Sequence, residues 1–448
     1  MTTEIQLLLA ITSGIALLLI LIIRIRLNAF LSLLIASIWI GLFSGIQPTE
    51  IIDTISKGMG DTLAFVATIV GLGTLFGAIL EHSGGARHLA EFLVRKTGEK
   101  KSRLAMMLSG FFVAIPVFFD VAFIILFPVI QALSKKLKKS ILYYALPLLA
   151  GIAITHSFIP PTPGPVAVAD ILKVDLGWMI LLGVPIGIPV AIFSGLYVSK
   201  YLTDNVPYQE DFEETAPKKP GGIVLLTHVA ILIPLMLMVI SAVIKTLLQE
   251  AVIADSIWVN AIIFIGHPFS ALILATLFSI YFLGKRSGLT RDQLFEISNK
   301  SLAPAGAIIL ITGAGGVLKQ MLITTGIGTM IAENISGSSY SVLLLAYVVA
   351  SLVRILQGSA TIAMITGAGI VAPVIEMIPD STMIDKTLLA LAIAAGSITV
   401  SHVNDSGFWI VNRFLKQEVT ATLRSWTILS TVISVSSFLL ILVISFFL

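Results

Sequence analysis

Two apolar segments of this chain are each too long for one membrane span, which needs about 20 residues. The first, Leu104 to Ser134, has clusters of Lys and Arg on both sides. Basic loops stay on the cytoplasmic side, so a segment with two basic flanks enters and leaves the membrane on one face. The second, Tyr340 to Ile375, has acidic flanks, which indicates the other face. The sequence therefore predicts two re-entrant hairpins that enter from opposite sides.

Composition supports a membrane location. Hydrophobic residues make up 57% of the 448 residues, charged residues make up 12%, and the mean hydropathy is +1.02. Soluble domains carry roughly 25% charged residues. The first apolar run, Ile5 to Ile23, lacks a basic leader and a cleavage site, so we expect it to remain as a span. The chain is therefore expected to be an all-α polytopic membrane protein in contact with lipid.

Several functional classes find no support in the sequence. The chain has no cysteine, which excludes disulfides, thiolate catalysis and cysteine-based metal sites. No P-loop string and no HExxH string occurs, so neither ATP-driven transport by this chain alone nor zinc hydrolysis is indicated. The basic residues lie in loops and form no stripe typical of nucleic-acid binding. We expect no enzyme activity, cofactor, metal site or nucleic-acid partner.

Apolar windows predict two series of five crossings, each interrupted by one hairpin. The first series is Ile5 to Ile23, Leu27 to Ile46, Leu63 to Leu80, a broken span Ile141 to Ile171, and Gly177 to Ser199. The second is Ile223 to Lys245, Ile257 to Leu283, Leu302 to Leu322, a broken span Leu388 to Val411, and Trp426 to Leu448. An odd number of crossings turns the second series upside down. We expect an inverted repeat, with residues 1–200 as the first repeat, 201–222 as a cytoplasmic linker and 223–448 as the second.

The two series also share residues at one constant spacing. Four positions of the first series match four of the second: Gly71, Gly73, Leu80 and Gly84 correspond to Gly313, Gly315, Leu322 and Gly326. The broken spans align on His156 and His402. Together with the common order of spans and hairpins, these matches favour a true internal repeat.

Helix-breaking residues at membrane depth occur at four places. The hairpins turn at Pro116 to Asp120 and at Gln357 to Thr361, and the broken spans open at Thr155 to Pro165 and at Ser401 to Gly407. Non-helical backbone inside a bilayer needs partners from protein or water. The four places are therefore expected to surround one polar site near the midplane, where broken helices carry substrate in transporters with inverted repeats.

The half-helices after these breaks begin with free N–H groups and a positive dipole end, which favours an anion. The residues beside them offer hydroxyl, amide and imidazole groups that suit a small hydroxylated carboxylate. The substrate-binding candidates are Thr155, His156, Ser157, Thr162, Gly164, Gly358, Ser359, Thr361, Ser401, His402, Asn404 and Ser406. The alternative is that the same hydroxyls only satisfy the broken backbone.

Charged residues inside the apolar segments are costly and mark candidate functional sites. Asp120, Asp405 and His156 are the candidates for proton coupling, while the alternative for both aspartates is the capping of a half-helix. Arg354 is expected either to neutralise a substrate carboxylate or to pair with an acid such as Asp405. Lys319 is expected to extend outward to the membrane surface.

The chain resembles the gluconate permease family, the gluconate:proton symporters, over essentially its whole length. The resemblance is carried by Gly71-Leu-Gly-Thr with Gly84-Gly85, Pro116-Val-Phe-Phe-Asp120, Pro160-Pro-Thr-Pro-Gly-Pro165, Arg354 with Gly358-Ser-Ala-Thr361, and Ser401-His-Val-Asn-Asp-Ser-Gly-Phe-Trp409. It implies proton-coupled uptake of gluconate or a related sugar acid across the bacterial cytoplasmic (inner) membrane. It also implies the ion-transporter superfamily fold, a homodimer in which a transport domain moves as an elevator against a scaffold.

One departure from the family pattern concerns Thr162, where members usually carry His between the prolines. The scaffold implied by the resemblance comprises Ile5 to about Leu80 and Ile223 to about Leu322. Some relatives carry D-serine, so a permease for D-serine or another small hydroxylated carboxylate stays open. Coupling to sodium in place of protons and an uncoupled facilitator are the other open alternatives.

Overall fold

A computed structural model of the chain describes residues 3–203, 223–326, 339–378 and 381–447. Within these ranges the regular secondary structure is helical. The fold is therefore all-α, as predicted. Residues 204–222 of the predicted linker lie outside the described residues.

The first half contains ten α-helices in the described part of the chain. They are α1 Thr3–Ile23, α2 Ala29–Phe43, α3 Pro48–His82, α4 Gly85–Thr97, α5 Ser102–Val113, α6 Phe119–Leu137, α7 Ile141–Phe158, α8 Pro163–Leu172, α9 Leu176–Ile192 and α10 Ser199–Thr203. A π-helical segment, Phe193–Val198, joins the last two. The third helix begins well before the predicted Leu63, because Pro48 occupies its first turn, where proline is favoured, and Glu50 complements the helix dipole there.

The second half also contains ten α-helices within the described ranges. They are α11 Ile223–Gln249, α12 Ile257–Gly266, α13 Pro268–Phe278, α14 Arg291–Thr324, α15 Ser339–Gln357, α16 Ala360–Glu376, α17 Met383–Ile398, α18 Ser406–Phe414, α19 Val419–Thr422 and α20 Ile428–Phe447. π-helical segments follow α13 at Ser279–Gly284 and α19 at Leu423–Thr427. One predicted continuous span is bent by 62° between α12 and α13, because Pro268 cannot continue the preceding helix.

Seven helical stretches in the described residues are long and apolar enough to cross a membrane, and the bent pair α12–α13 makes up to eight. The other two predicted spans correspond to α2, which has only 15 residues, and to the α17–α18 pair, which is interrupted. The chain is a multi-pass membrane protein. The helices are interrupted at all four predicted places, between α5 and α6, α7 and α8, α15 and α16, and α17 and α18. The inversion of the two halves stays a prediction.

The two longest helices, α3 and α14, cross through small residues. A Cβ atom on Gly58 would lie 2.7 Å from the carbonyl oxygen of Gly316 and 2.8 Å from Cα of Val317, so only glycine permits this approach. The repeated glycines hold similar positions. Gly73 of α3 faces Pro161 in the first broken span, and Gly315 of α14 faces α16. The sequence repeat thus coincides with close contacts between long helices and interrupted ones.

The prediction for Lys319 is wrong. Its side chain does not extend to the membrane surface, because the residue is only 8% exposed. The Nζ atom donates to the Ile171 carbonyl at 2.6 Å and lies 3.1 Å from Oε1 of Glu376. The Ile171 carbonyl and the Glu376 carboxylate give this ammonium group partners within the protein, so it does not need to reach the membrane surface.

Candidate functional site

One cavity of about 430 Å³ lies where the interrupted helices meet. Its wall includes both hairpin tips, the last turns of α7 and the start of α18. Pockets of roughly 300–1,000 Å³ are typical of small-molecule sites. The structure therefore brings parts of all four predicted regions to one place.

The second hairpin and the second break are joined by an ion pair. Arg354, near the end of α15, lies 2.5 Å from Oδ2 of Asp405 and also donates to the carbonyl of Gly358 at the hairpin tip. Arg354 is only 5% exposed. Of the two roles that the sequence left open for Arg354, the structure shows the pairing with Asp405.

Asp405 is held by more than this pair. Its Oδ1 atom accepts from the backbone N–H of Gly407 at 3.0 Å, so Asp405 also caps α18. Ser401 donates its hydroxyl to Asp405, and the indole N–H of Trp426 donates to Ser401 Oγ at 2.7 Å. Asp405 therefore accepts hydrogen bonds from an arginine, a serine hydroxyl and a backbone N–H group. The side of the cavity formed by Arg354 and Asp405 therefore carries no net charge, and its polar groups are hydrogen-bonded to one another.

Asp120 contrasts with Asp405. It lies in the first turn of α6, is half-buried and faces the same cavity. Phe118 occupies the cap position of that helix, and no side-chain hydrogen bond caps it. Asp120 makes no hydrogen bond or ion pair with any residue that the structure describes. The capping role that the sequence allowed for Asp120 is therefore not observed.

The first break is closed by Thr162. Its hydroxyl contacts the carbonyl oxygens of His156 and Ile159, each at 2.9 Å, and thereby supplies a donor where the helix ends. Thr162 lies outside the cavity wall, as does Gly164, which packs against Met364 of α16. For Thr162 the structure shows the backbone role that the sequence gave as the alternative to substrate binding.

His156 does reach the cavity. The ring of Phe119 lies 6.5 Å from it in an edge-to-face arrangement, which links the first hairpin tip to α7. The Nδ1 atom of His156 is buried and has no hydrogen-bond partner among the described residues. Thr155 likewise has a buried hydroxyl oxygen without such a partner, but it does not line the cavity.

The second break is fixed to the second hairpin by two side chains. His402 Nε2 lies 2.9 Å from the Ile355 carbonyl oxygen, and Asn404 Nδ2 donates to the same oxygen at 2.8 Å. Gly358 adopts φ +89° with the backbone of Asn404 directly against it, so a side chain there would be strained and would clash. These residues position the cavity wall without forming it.

The structure thus divides the predicted site residues into two groups. Those lining the cavity are Asp120, His156, Ser157, Ser359, Thr361, Asp405 and Ser406. Those outside its wall are Thr155, Thr162, Gly164, Gly358, Ser401, His402 and Asn404. The sequence analysis missed several apolar and aromatic lining residues, chiefly Phe118, Phe119, Trp426, Ile308 and Ile311. The position of Phe118 and Phe119 next to Asp120 was a sequence signal that they line the cavity, whereas the sequence gives no such signal for the two isoleucines of α14.

The cavity suits a small polar anion. Ser359 caps α16 and Asp405 caps α18, so the N-terminal ends of two helices face the cavity. Hydroxyls of Ser157, Thr361 and Ser406 lie along the same wall. No group of three or more potential metal ligands occurs in the described ranges.

The chain matches one known family along almost its whole length. The family model described as GntP family permease matches residues 5–447. The chain belongs to this family. This chain is 37% identical over 438 residues to a gluconate permease of Pseudomonas aeruginosa, and the alignment covers 96% of this chain and 95% of that protein.

Two Escherichia coli relatives show the same extent of similarity. The low-affinity gluconate transporter of strain K12 is 37% identical, with 96% of each chain covered. The Gnt-II system L-idonate transporter is 35% identical, with 98% of this permease and 99% of the relative covered. The resemblance inferred from the motifs is confirmed, and the protein is a permease and not an enzyme.

The fold also has a counterpart among solved structures. The crystal structure of the YdaH transporter from Alcanivorax borkumensis aligns with a TM-score of 0.58 at 12% identity. The alignment covers 86% of this permease and 87% of that chain. At this identity the likeness concerns the fold alone.

Proposed function

We propose that this permease is a secondary active transporter that takes up gluconate or a related sugar acid together with protons. The names of its relatives support the substrate class, because they include gluconate and L-idonate transporters. The observation that carries the proposal is the cavity between the two hairpin tips, with one carboxylate that is paired and one that has no partner among the described residues.

The substrate acid is held by complementary groups in this cavity. Its carboxylate lies toward the helix N-terminal ends at Ser359 and Asp405, near the Arg354 guanidinium. Its hydroxyls bond Ser157, Thr361 and Ser406. Charge-assisted hydrogen bonds of this kind are shorter and stronger than neutral ones. Apolar residues such as Ile308 and Ile311 form another part of the wall.

Proton coupling follows from the charge of the lining residues. Arg354 and Asp405 neutralise each other, which leaves Asp120 as an uncompensated negative charge when it is ionised. A sugar-acid anion would add a second negative charge to a poorly hydrated space, which is unfavourable. Protonation of Asp120 removes this repulsion and thereby favours substrate binding. His156 is the second candidate carrier, because its unpartnered Nδ1 is in the same wall.

The transport cycle is an elevator motion of an inverted repeat in a homodimer of the inner membrane. Supporting this, the cavity lies between helix α14 of the expected scaffold and the interrupted helices of the expected transport domain. If the repeats are inverted, tags inserted near Leu137 and near Ser381 will lie in different compartments, with Leu137 in the cytoplasm. Tags found in one compartment would contradict the inversion.

Uptake by the purified permease in liposomes tests substrate and coupling together. We expect gluconate or another aldonate to accumulate against its gradient when the proton gradient is directed inward, and a protonophore to abolish the accumulation. Equilibration without accumulation would indicate a facilitator. A preference for D-serine over every aldonate would contradict the substrate class, and accumulation driven by a sodium gradient alone would contradict proton coupling.

A further inference from the structure

A second polar contact between helices lies away from the cavity. The buried Lys319 of α14 reaches two other helices at once: it donates to the carbonyl of Ile171 in the last turn of α8 and pairs with Glu376, the last residue of α16. The C-terminal ends of both helices carry free carbonyl groups and negative dipole charge, which attract a cation. Lys319 therefore joins the last turn of α8, through a backbone carbonyl, to the last residue of α16, through its carboxylate.

The carboxylate of Asp170 adds to this contact. Asp170 lies on α8 beside Ile171 and is only 8% exposed, and its charge acts on Lys319. One oxygen of Asp170 lies 3.8 Å from the ammonium group of Lys173, while the other is buried without a hydrogen-bond partner in the described part of the chain. Glu376 is thus the direct ion-pair partner of Lys319, and Asp170 adjoins Ile171, whose carbonyl accepts from the same ammonium group.

The contact surface between α14 and α16, here called the seam, runs from Lys319 to the cavity. On α14, Ile311 lines the cavity, Gly315 follows four residues later, and Lys319 four residues after that, so all three lie on one face. On α16, the chain runs from Thr361 at the cavity to Ile365, which packs on Gly315. The seam then continues through Gly369 to Glu376. Along this seam α14 and α16 seal one side of the cavity.

The first half of the chain has no such contact at the matching position. Gly77 of α3 corresponds to Lys319 at the spacing that relates Gly73 to Gly315. Gly77 faces the carbonyl of Pro116 at the first hairpin tip, and it has no side chain to bridge helices. In a transporter built from an inverted repeat, each half adopts in one access state the arrangement that the other half adopts in the opposite state. A contact present in only one half therefore makes the free energies of the two states unequal.

We propose that Lys319 is a positioning residue that latches α8 and α16 onto α14 and holds the cavity closed on the side where these three helices end. This inference rests on the proposed elevator motion. Opening that side separates α14 from α16 and exchanges the contacts of Lys319 with Ile171 and Glu376 for contacts with water, which costs the net free energy of those bonds. The latch therefore biases the resting transporter toward access from the opposite side.

Cysteine labelling measures this bias directly, because the chain contains no cysteine. Ile311→Cys places a thiol in the cavity wall, and a separate Met377→Cys variant, at a residue 39% exposed beside Glu376, identifies the face where the latch lies. A membrane-impermeant maleimide is applied to intact cells and to inside-out vesicles. The reference is Ile311→Cys alone, and the test adds Lys319→Gln to it.

We expect Lys319→Gln to raise labelling of the thiol at position 311 from the face that also labels position 377. The increase should be about tenfold, the ratio set by losing a typical hydrogen bond to a charged group. Lys319→Arg should retain the reference pattern, because it keeps the charge. Glu376→Gln, at the edge of the contact, should give an intermediate increase and serves if Lys319→Gln does not fold.

Unchanged labelling from both faces in Lys319→Gln and in Glu376→Gln would overturn the latch. An equal rise in Lys319→Arg would also overturn it, because a loosened helix contact alone would then explain the effect. Uptake of gluconate by the unmodified chain is measured in parallel. If no sugar acid is transported but the labelling shift occurs, the proposed substrate fails and the latch stands.

Discussion

The two hairpin tips lie in the wall of the same cavity, but they differ in whether their charged residue has a partner. At the second tip Arg354 is committed to Asp405 and to the carbonyl of Gly358. At the first tip Asp120 has no hydrogen-bond or ion-pair partner among the described residues, although it lies in the same wall. The two halves of the chain therefore differ in how their charged residues are partnered. The second half holds its charged residues in an ion pair. In our proposal the first half supplies the group that changes its charge.

The two breaks differ in a related way. The first is closed from within, because the hydroxyl of Thr162, just before α8, contacts carbonyl oxygens of His156 and Ile159 at the end of α7. The second is closed from outside, since His402 and Asn404 bind the Ile355 carbonyl of the neighbouring hairpin. The second break and the second hairpin are thus one unit, whereas the first break does not depend on a hairpin for these bonds.

Removal of Arg354 should have the largest effect on stability. Arg354→Gln leaves the buried Asp405 carboxylate without its counter-charge, which should lower the free energy of unfolding by about 3–5 kcal/mol. Unfolding of the purified permease in detergent by denaturant measures this loss. The double variant Arg354→Met with Asp405→Asn removes both charges and should regain most of the stability. A single variant as stable as the parent would show that the ion pair at the second tip contributes little to stability.

Asp120→Asn should leave stability nearly unchanged but abolish coupling. Because Asp120 has no partner in the described residues, the free energy of unfolding should change by no more than about 0.5 kcal/mol, as for a residue that breaks no contact. Proton-driven accumulation of gluconate should fall to the level that the parent reaches with a protonophore, while exchange of labelled for unlabelled substrate continues. Liposome uptake and exchange assays measure the two activities separately. Unchanged accumulation would remove Asp120 from the coupling role and with it the functional contrast between the tips.

The positions of the helix breaks could be predicted because their causes are local. Where proline, glycine and polar residues cluster inside an apolar run they favour an interruption of the helix, so the breaks near Asp120, Pro161, Gly358 and Asp405 are visible in the sequence, whereas isolated prolines such as Pro147 lie within helices. The pairing of Arg354 with Asp405 could be anticipated for the same reason, since few partners exist for a charge at that depth.

The parts that escaped prediction depend on tertiary contacts. Lys319 was expected to reach the membrane surface, because a sequence cannot show that the end of α8 lies beside it. Ile308 and Ile311 look like any other residues of an apolar helix until the cavity is seen. Of the seven candidates outside the cavity wall, two are glycines and five carry polar side chains, but four of these five side chains bind backbone or neighbouring side chains.

Substitution of Thr162 should have the smallest effect on transport, and it tests the difference between the two breaks. Thr162→Val leaves the His156 and Ile159 carbonyls without the hydroxyl and should lower the free energy of unfolding by about 1–3 kcal/mol. Thr162→Ser keeps the donor and should change it by no more than about 0.5 kcal/mol. Both should retain the apparent KM for gluconate, because Thr162 lies outside the cavity wall. A raised KM without a loss of stability would place Thr162 on the substrate, and the histidine that family members usually carry there would then be a direct ligand that this chain has replaced.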